Sequence, residues 1–341
     1  MPDSYFDLSP GDQRDLLELG ASQLGMTPLV LEKDVWVCWA LSRLFSMPGK
    51  LEMAFKGGTS LSKVYNVIDR FSEDIDVTID YRESAPALTG NETPSQLNKL
   101  SVGLKASVLN HTKNKLMPYF LNSLREQFGA GYGSVELTAD GEKLYVHYES
   151  VLNSKGTEYV PTSVLLEFGG RNITEPNEKH VVTPYLVPIS QAVTYPEPEV
   201  KVLAMERTYW EKATLIHVEC RRKSVKGNAE RISRHWYDLF KMSGDLQRYF
   251  TVEMYELLES VVRQKKAFYN SSWASYEDCL VGGLRLVPEE ALRQILENDF
   301  AEMRAAGMFY SDPPTFEVIL SHLGKVESVL NEVIRKRGRV I

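Results

Sequence analysis

Two short runs carry side chains whose types and spacing can do chemistry together: FKGGTSLSK at residues 55–63 and FSEDIDV at residues 71–77. Gly57 and Gly58 let backbone come close to a ligand. The N–H groups of a helix opening near Thr59 would face any anion held there, with the Thr59 and Ser60 hydroxyls as added donors. Asp74 and Asp76 stand two apart on a candidate strand, so both side chains leave one face with Cα atoms roughly 7 Å apart, and one hard cation can bridge them. Mg²⁺ suits such a pair, because it takes few protein carboxylates and fills its octahedron with water and phosphate oxygens. Each run alone has an ordinary explanation, since glycine pairs are common in strand-to-helix turns and alternating acids mark the wet face of an edge strand. In this order and spacing they point to a polyphosphate seat beside a metal site. A P-loop is excluded, because the sequence contains no G-x-x-x-x-G-K-[ST].

The surrounding elements must hold these runs in place. Residues 12–45 read as helices, with Leu31, Val35, Cys38, Leu41 and Phe45 forming an apolar stripe at intervals of three or four. After a break at Met47-Pro48-Gly49, LEMAF is a short strand, KGG a turn, and TSLSKVYNVIDRF a helix with Leu61, Val64, Tyr65 and Ile68 on one side. EDIDVTID alternates Ile75, Val77 and Ile79 with Asp74, Asp76, Thr78 and Asp80, as a half-buried strand does. A polar loop is expected over 82–100 and a helical stretch over 104–128. Two strands around Asp140-Gly141 and the strand SVLLEF follow. Prolines 184, 188, 196 and 198 punctuate an irregular connection, and from MERTYWEKATLIHVECRR onward the pattern is helical. The fold class is α+β, with one domain over 1–200 and a helical one over 201–341.

Bulk composition fits a folded chain of 341 residues, 43% hydrophobic and 25% charged. Three cysteines, Cys38, Cys220 and Cys279, match neither a disulfide framework nor a zinc site and read as reduced cytoplasmic thiols. The first residues lack an apolar core, and no later run is long and apolar enough for a membrane helix, so neither secretion nor membrane spanning is expected. A net charge of -7 disfavours a surface that binds nucleic acid all over, leaving only local basic patches for that task. Six scattered histidines form no H-E-x-x-H pair and read as structural, and no G-x-S-x-G or Cys–His signature supports a hydrolase.

These residues resemble the AbiEii/MenT nucleotidyltransferase toxins of the polymerase-β-like superfamily. That pattern is a glycine turn opening a helix, acid-x-acid on the next strand, and a third acid on a later strand. Lys56, Gly57, Gly58, Thr59, Ser60 and Lys63 stand in the nucleotide-binding places, Asp74 and Asp76 in the metal-binding ones, and Glu167 of VLLEFG in the third. MERTYWEKATLIH resembles the family's ERT-x-x-EKA helix, which implies that Lys212 binds the triphosphate. RHWYDLFKM resembles its last motif, which implies that Asp238 lies in the active-site cleft and positions Lys212. The competing reading of Asp238 is an intrahelical ion pair with Arg234. DFAEMRAAGMFYSDPPTFEVILSHL resembles the C-terminal segment, so the likeness runs from LEKD onward. It implies a polymerase-β-like core of mixed sheet and flanking helices, with a helical C-terminal domain completing the cleft. It also implies Mg²⁺, in a one- or two-metal arrangement, an NTP substrate, and an AbiEi-like antitoxin in a phage-defence system.

The acceptor has to be argued separately. Between residues 221 and 241, Arg221, Arg222, Lys223, Lys226, Arg231, Arg234 and Lys241 outnumber Glu230 and Asp238 by five. This segment, with Arg221, Arg222 and Lys223 foremost, is the expected seat of a phosphodiester backbone such as a tRNA acceptor arm, and a solvated loop is its alternative. The RKRGR run near the C-terminus is a second candidate. A small molecule or a protein side chain as acceptor, or a non-catalytic nucleotide- or antitoxin-binding module, are the rival functions.

Overall fold

A computed structural model describes residues 3–152, 161–222, 231–271 and 273–337. The chain divides into two compact units, one of residues 1–65, 71–87 and 99–203, the other of residues 66–70, 88–98 and 204–341.

The first unit is built on a mixed sheet. After a two-residue strand β1 (Asp3–Ser4), helices α1 (Pro10–Leu24) and α2 (Pro28–Ser46) each start on a capping residue followed by proline at the first helical position. Ser9 accepts from Asp12 N and Thr27 from Val30 N, and caps of this kind stabilise a helix by about 1 kcal/mol. The strands are β2 (Met53–Lys56), β3 (Ile75–Asp80), β4 (Ser134–Leu137), β5 (Lys143–His147), β6 (Ser163–Asn172), β7 (Asn177–Val181) and β9 (Glu199–Leu203), in spatial order β4-β5-β6-β3-β2-β9-β7. The short β8 (Val193–Thr194) pairs only with β1. β3 lies in the middle, antiparallel to β2 and parallel to β6. Phe55, Ile75, Val77, Leu166 and Phe168 share one buried cluster with Trp36, Trp39, Leu41 and Leu44 of α2. Trp36 stacks on Tyr148 with centroids 4.7 Å apart.

Three local expectations are corrected. The helix read over TSLSKVYNVIDRF is only α3 (Gly57–Lys63). It stops because Asn66 takes a left-handed backbone, φ 50°, and residues 66–70 belong to the second unit. The polar loop expected to residue 100 ends early: α4 (Pro94–His111) opens on a capping box in which Gln96 N donates to Thr93 Oγ1 and Thr93 N to Gln96 Oε1. A π-turn at Thr112–Leu116 joins it to α5 (Met117–Phe128). The proline-punctuated connection supplies β7 and β9, which pair antiparallel. β3 also departs from simple alternation, because Thr78 and Asp80 are buried with the apolar residues. Asp80 there accepts from Arg82 and from Thr174.

The second unit is helical, comprising α6 (Met205–Arg221), α7 (Arg234–Met242), α8 (Val252–Phe268), α9 (Glu290–Ala305) and α10 (Phe316–Arg337). Trp210 and Trp236 are fully buried, and Tyr209 stacks on Tyr249. His217 accepts from Arg285 N at Nδ1 and donates from Nε2 to the Ser275 carbonyl, so it is a neutral core residue whose burial lowers its pKa. No helix of the described residues is long and apolar enough to cross a membrane.

Candidate active site

In the first unit, the sheet register aligns four charged residues in one row across four strands. Lys56 of β2 pairs with Asp76 of β3, Asp76 with Glu167 of β6, and Glu167 with Lys143 of β5. Adjacent strands lie about 4.8 Å apart, so the two acids are immediate neighbours. The buried Phe55, Ile75, Val77, Leu166 and Phe168 alternate with them, leaving Lys56, Asp74, Asp76 and Glu167 half-buried on the opposite face. Lys143 Nζ lies 2.5 Å from Glu167 Oε1. That hydrogen bond first, then the charges of Glu167 and Asp74 against the opposing effect of burial, holds the Lys143 ammonium above its ordinary pKa.

The glycine turn meets this row directly. Gly57 has φ +81°, and a Cβ built on it would overlap the Asp76 carboxylate. Only glycine leaves room there for both the left-handed backbone and the acid. Thr59 and Ser60 are fully buried: Thr59 Oγ1 donates to the Asp74 carbonyl (2.7 Å) and Ser60 Oγ to the Gly57 carbonyl (2.9 Å). The Thr59 hydroxyl therefore ties the turn to the acid strand, and the Ser60 hydroxyl is spent within the turn. Lys63 also turns inward, its ammonium paired with the buried Asp34 and 4.0 Å above the Tyr185 ring.

Asp34 belongs to LEKD, whose Glu32, Lys33 and Asp34 are all buried on α2. Glu32 accepts from Ser150 Oγ and Val151 N, and Lys33 pairs with Glu73 at 2.7 Å, directly before Asp74. These contacts hold the glycine turn, the acid strand and the end of β5 onto one helix. Burying three charges is costly unless each is satisfied, and here each has a partner.

In the second unit, Asp238 of α7 is fully buried and accepts from Arg70 Nε (2.7 Å), from a second Arg70 guanidinium nitrogen (2.8 Å) and from Lys212 Nζ of α6 (2.8 Å). Burial alone would raise its pKa, but the charges and hydrogen bonds of Arg70 and Lys212 outweigh this and hold it well below the usual carboxylate range. Lys212 is 8% exposed. Burial lowers its pKa, Asp238 opposes that, and the neighbouring charge of Arg70 adds to the lowering.

A profile described as nucleotidyl transferase AbiEii toxin of a type IV toxin–antitoxin system matches residues 39–322. The chain belongs to the AbiEii toxin family. It is therefore a nucleotidyltransferase with an NTP as substrate and an antitoxin as partner. Among solved structures it matches MenT4, the nucleotidyltransferase toxin Rv2826c from Mycobacterium tuberculosis H37Rv, at 18% identity and a TM-score of 0.36, over 87% of this chain and 99% of that one. No curated protein matches the sequence.

In this AbiEii toxin the structure brings Lys56, Gly57, Asp76 and Glu167 together, with Asp74 two residues from Asp76 and Gly58 buried in the adjoining turn. It separately joins Lys212 to Asp238. The proposed Arg234–Asp238 pair does not form, because Asp238 is taken by Arg70 and Lys212. The basic segment is less available than its sequence suggests. Arg221 pairs with Asp278 at 2.7 Å, Arg222 with Glu219 at 2.8 Å, and Lys241 with Asp69 at 2.8 Å. Lys223, Lys226 and the glycine-containing end of RKRGR lie outside the described residues.

Sequence reasoning missed Arg70, Lys143 and the LEKD charges. Arg70 sat inside an expected helix, and Lys143 needed the sheet register to reveal its neighbours. LEKD alone had a local signal: three consecutive charges beside the apolar stripe of α2. A cavity of about 420 Å³ in the second unit is lined by Leu88, Gly90, Leu97, Val262, Arg263 and Leu280 among others, and includes neither Lys212 nor Asp238.

Two hard carboxylates on one strand, next to a turn whose missing Cβ leaves space at Asp76, suit a hard divalent cation. Among the described residues no three His, Cys, Asp or Glu side chains group as a metal site, and Glu167 is the cross-strand neighbour of Asp76. A site of two protein carboxylates, completed by water and substrate phosphate, matches what Mg²⁺ accepts.

Proposed function

We propose that this toxin moves a nucleoside monophosphate from an NTP onto the 3′ end of tRNA, with Asp74 and Asp76 holding Mg²⁺, and so blocks translation. The observation that carries the reading is the Lys56–Asp76–Glu167–Lys143 row lying against Gly57, whose absent side chain leaves the Asp76 carboxylate room at the turn. Bound Mg²⁺ would supply charge neutralisation at the reacting phosphate and lower the cost of pyrophosphate departure. In the reaction, an acceptor hydroxyl oxygen bonds to the α-phosphorus in line with the leaving group. The bond from that phosphorus to the bridging oxygen breaks, and pyrophosphate leaves with the electron pair. Gly57 and Gly58 let backbone approach the phosphates, and Lys56 lends charge at one end of the row. Lys212, oriented by Asp238, neutralises charge that grows on the polyphosphate. Glu167 is the group on the row suited to receive the hydroxyl proton, while Lys143 fixes its direction.

Arg221, Arg222 and Lys223 are the proposed acceptor contacts, and the ion pairs of the first two with Asp278 and Glu219 would have to open to RNA. We further place the protein in the cytoplasm, neutralised by an AbiEi-like antitoxin in phage defence, consistent with three buried, unbridged cysteines. The test incubates purified protein and Mg²⁺ with each labelled NTP and total RNA, then resolves which species gains label. Label on tRNA termini is expected. Label only on small molecules or on protein would redirect the acceptor assignment, and no transfer from any NTP would defeat the reading. Charge reversal at Arg221, Arg222 and Lys223 is expected to weaken acceptor use and flatten its salt dependence; unchanged values would remove RNA from that segment.

A further inference from the structure

Among the described residues of the basic segment, Arg234 stands apart. Arg221, Arg222 and Lys241 each have a carboxylate partner, whereas Arg234 meets none. Its natural partner would be Asp238, one helical turn on along the same face of α7. That carboxylate already accepts three N–H bonds from Arg70 and Lys212. A carboxylate offers about four acceptor positions, so little capacity is left for a second guanidinium. Arg234 is thus left without a carboxylate partner beside the Arg70–Asp238–Lys212 cluster of the second unit.

Arg234 is also held in position. Asp299 of α9 accepts from Arg231 N (2.6 Å), Ser233 N (2.7 Å) and Ser233 Oγ (2.5 Å), fixing the turn from which α7 starts with Arg234 as its first residue. The Arg234 charge is felt at Lys212, whose pKa it helps to lower, and at the adjacent His235, kept neutral first by burial and then by Lys212 and Arg234. A half-buried guanidinium with no carboxylate partner is suited to an anionic ligand. A guanidinium matches phosphate in a two-pronged way that an ammonium does not.

We propose that Arg234 is a phosphate-binding residue for the polyphosphate tail of the NTP, acting beside Lys212; this rests on the nucleotidyl-transfer reading above. An RNA backbone is the less favoured ligand, because the Arg234 charge acts on Lys212, the proposed triphosphate contact, and not along the Arg221–Lys223 track assigned to the acceptor.

The test compares full-length wild type with Arg234→Gln, Arg234→Lys and, as a surface control, Arg293→Gln. Inorganic tripolyphosphate binding is measured by calorimetry, and KM for the NTP and for acceptor RNA by transfer. Arg234→Gln is expected to weaken tripolyphosphate binding and raise the NTP KM by about 10-fold or more. It should leave the acceptor KM within about 2-fold, while Arg234→Lys falls between and Arg293→Gln matches wild type. Thermal melting verifies that each variant is folded, and Arg234→Lys carries the comparison if the glutamine variant is not. Wild-type tripolyphosphate affinity in Arg234→Gln overturns this inference while leaving the transferase reading intact. A rise in the acceptor KM alone overturns it in favour of RNA. Wild type that binds neither tripolyphosphate nor any NTP defeats both.

Discussion

Asp76 and Asp238 are the same residue type in opposite surroundings. Asp76 is half-buried on the sheet face, in a cross-strand row with Lys56 on one side and Glu167 on the other. Asp238 is fully buried, and three N–H groups of Arg70 and Lys212 close on its two oxygens. A carboxylate reached by water can exchange ligands with an incoming cation and its substrate. One already surrounded by donors orients those donors instead. Depth and saturation, more than residue type, separate an acid open to a cation from one that fixes the donors around it.

The contrast can be broken most sharply at Asp76. Asp76→Asn is expected to lower the transfer rate on the order of 10³-fold, with a melting temperature within about 2 °C of wild type because the site is half-buried. Comparable rates in a labelled-NTP assay would remove Asp76 from the chemistry. Asp238→Asn should act the other way, costing about 3–5 kcal/mol of stability at neutral pH by leaving two cations without their buried counter-charge, as urea unfolding would measure. Its pH dependence has a definite sign. A carboxyl held below its ordinary pKa contributes stability above the unfolded value of about 4 and loses it as pH falls further. The gap between wild type and variant is therefore expected to narrow below about pH 4; a gap that widens there would contradict the clamp.

Gly57→Ala should fall next, with about a 10²-fold loss of rate, since the added methyl displaces the Asp76 carboxylate and strains a left-handed backbone. Full activity would mean that this close approach does not matter to catalysis. The smallest effect is expected at Lys143→Met. Its pair with Glu167 is well exposed, so stability should change by less than about 1 kcal/mol. A larger loss would show that the row behaves like the buried clamp and not like a solvated face.

Much of the first of these two sites was legible in the chain. KGG followed by D-x-D has local geometry: glycine marks the turn, and a period of two puts both acids on one face. The helices of the second unit, with Lys212 and Asp238 on ERT-x-x-EKA and RHWYDLFKM, also follow from pattern and resemblance. The errors lie where partners are remote. Lys63 reads as a phosphate ligand until Asp34, 29 residues earlier, is seen against it. Arg221 and Arg222 read as an open basic patch, and Arg221 changes meaning once Asp278 is placed beside it. The start of α4 was missed for a different reason: its Thr93–Gln96 capping box is local and readable, but polar composition outweighed it.

The amino-acid sequence by itself determined the turn, the spacing of Asp74 and Asp76, the caps of the helices and the apolar stripe of α2, because each depends on backbone preferences within a few residues. Tertiary structure alone decided which charges are neighbours. Arg70 reaches Asp238 across 168 positions, and Glu167 meets Asp76 only through strand register. Coulomb and hydrogen-bond energies act through space and depend on burial, and neither distance nor burial is written in the order of residues along a chain.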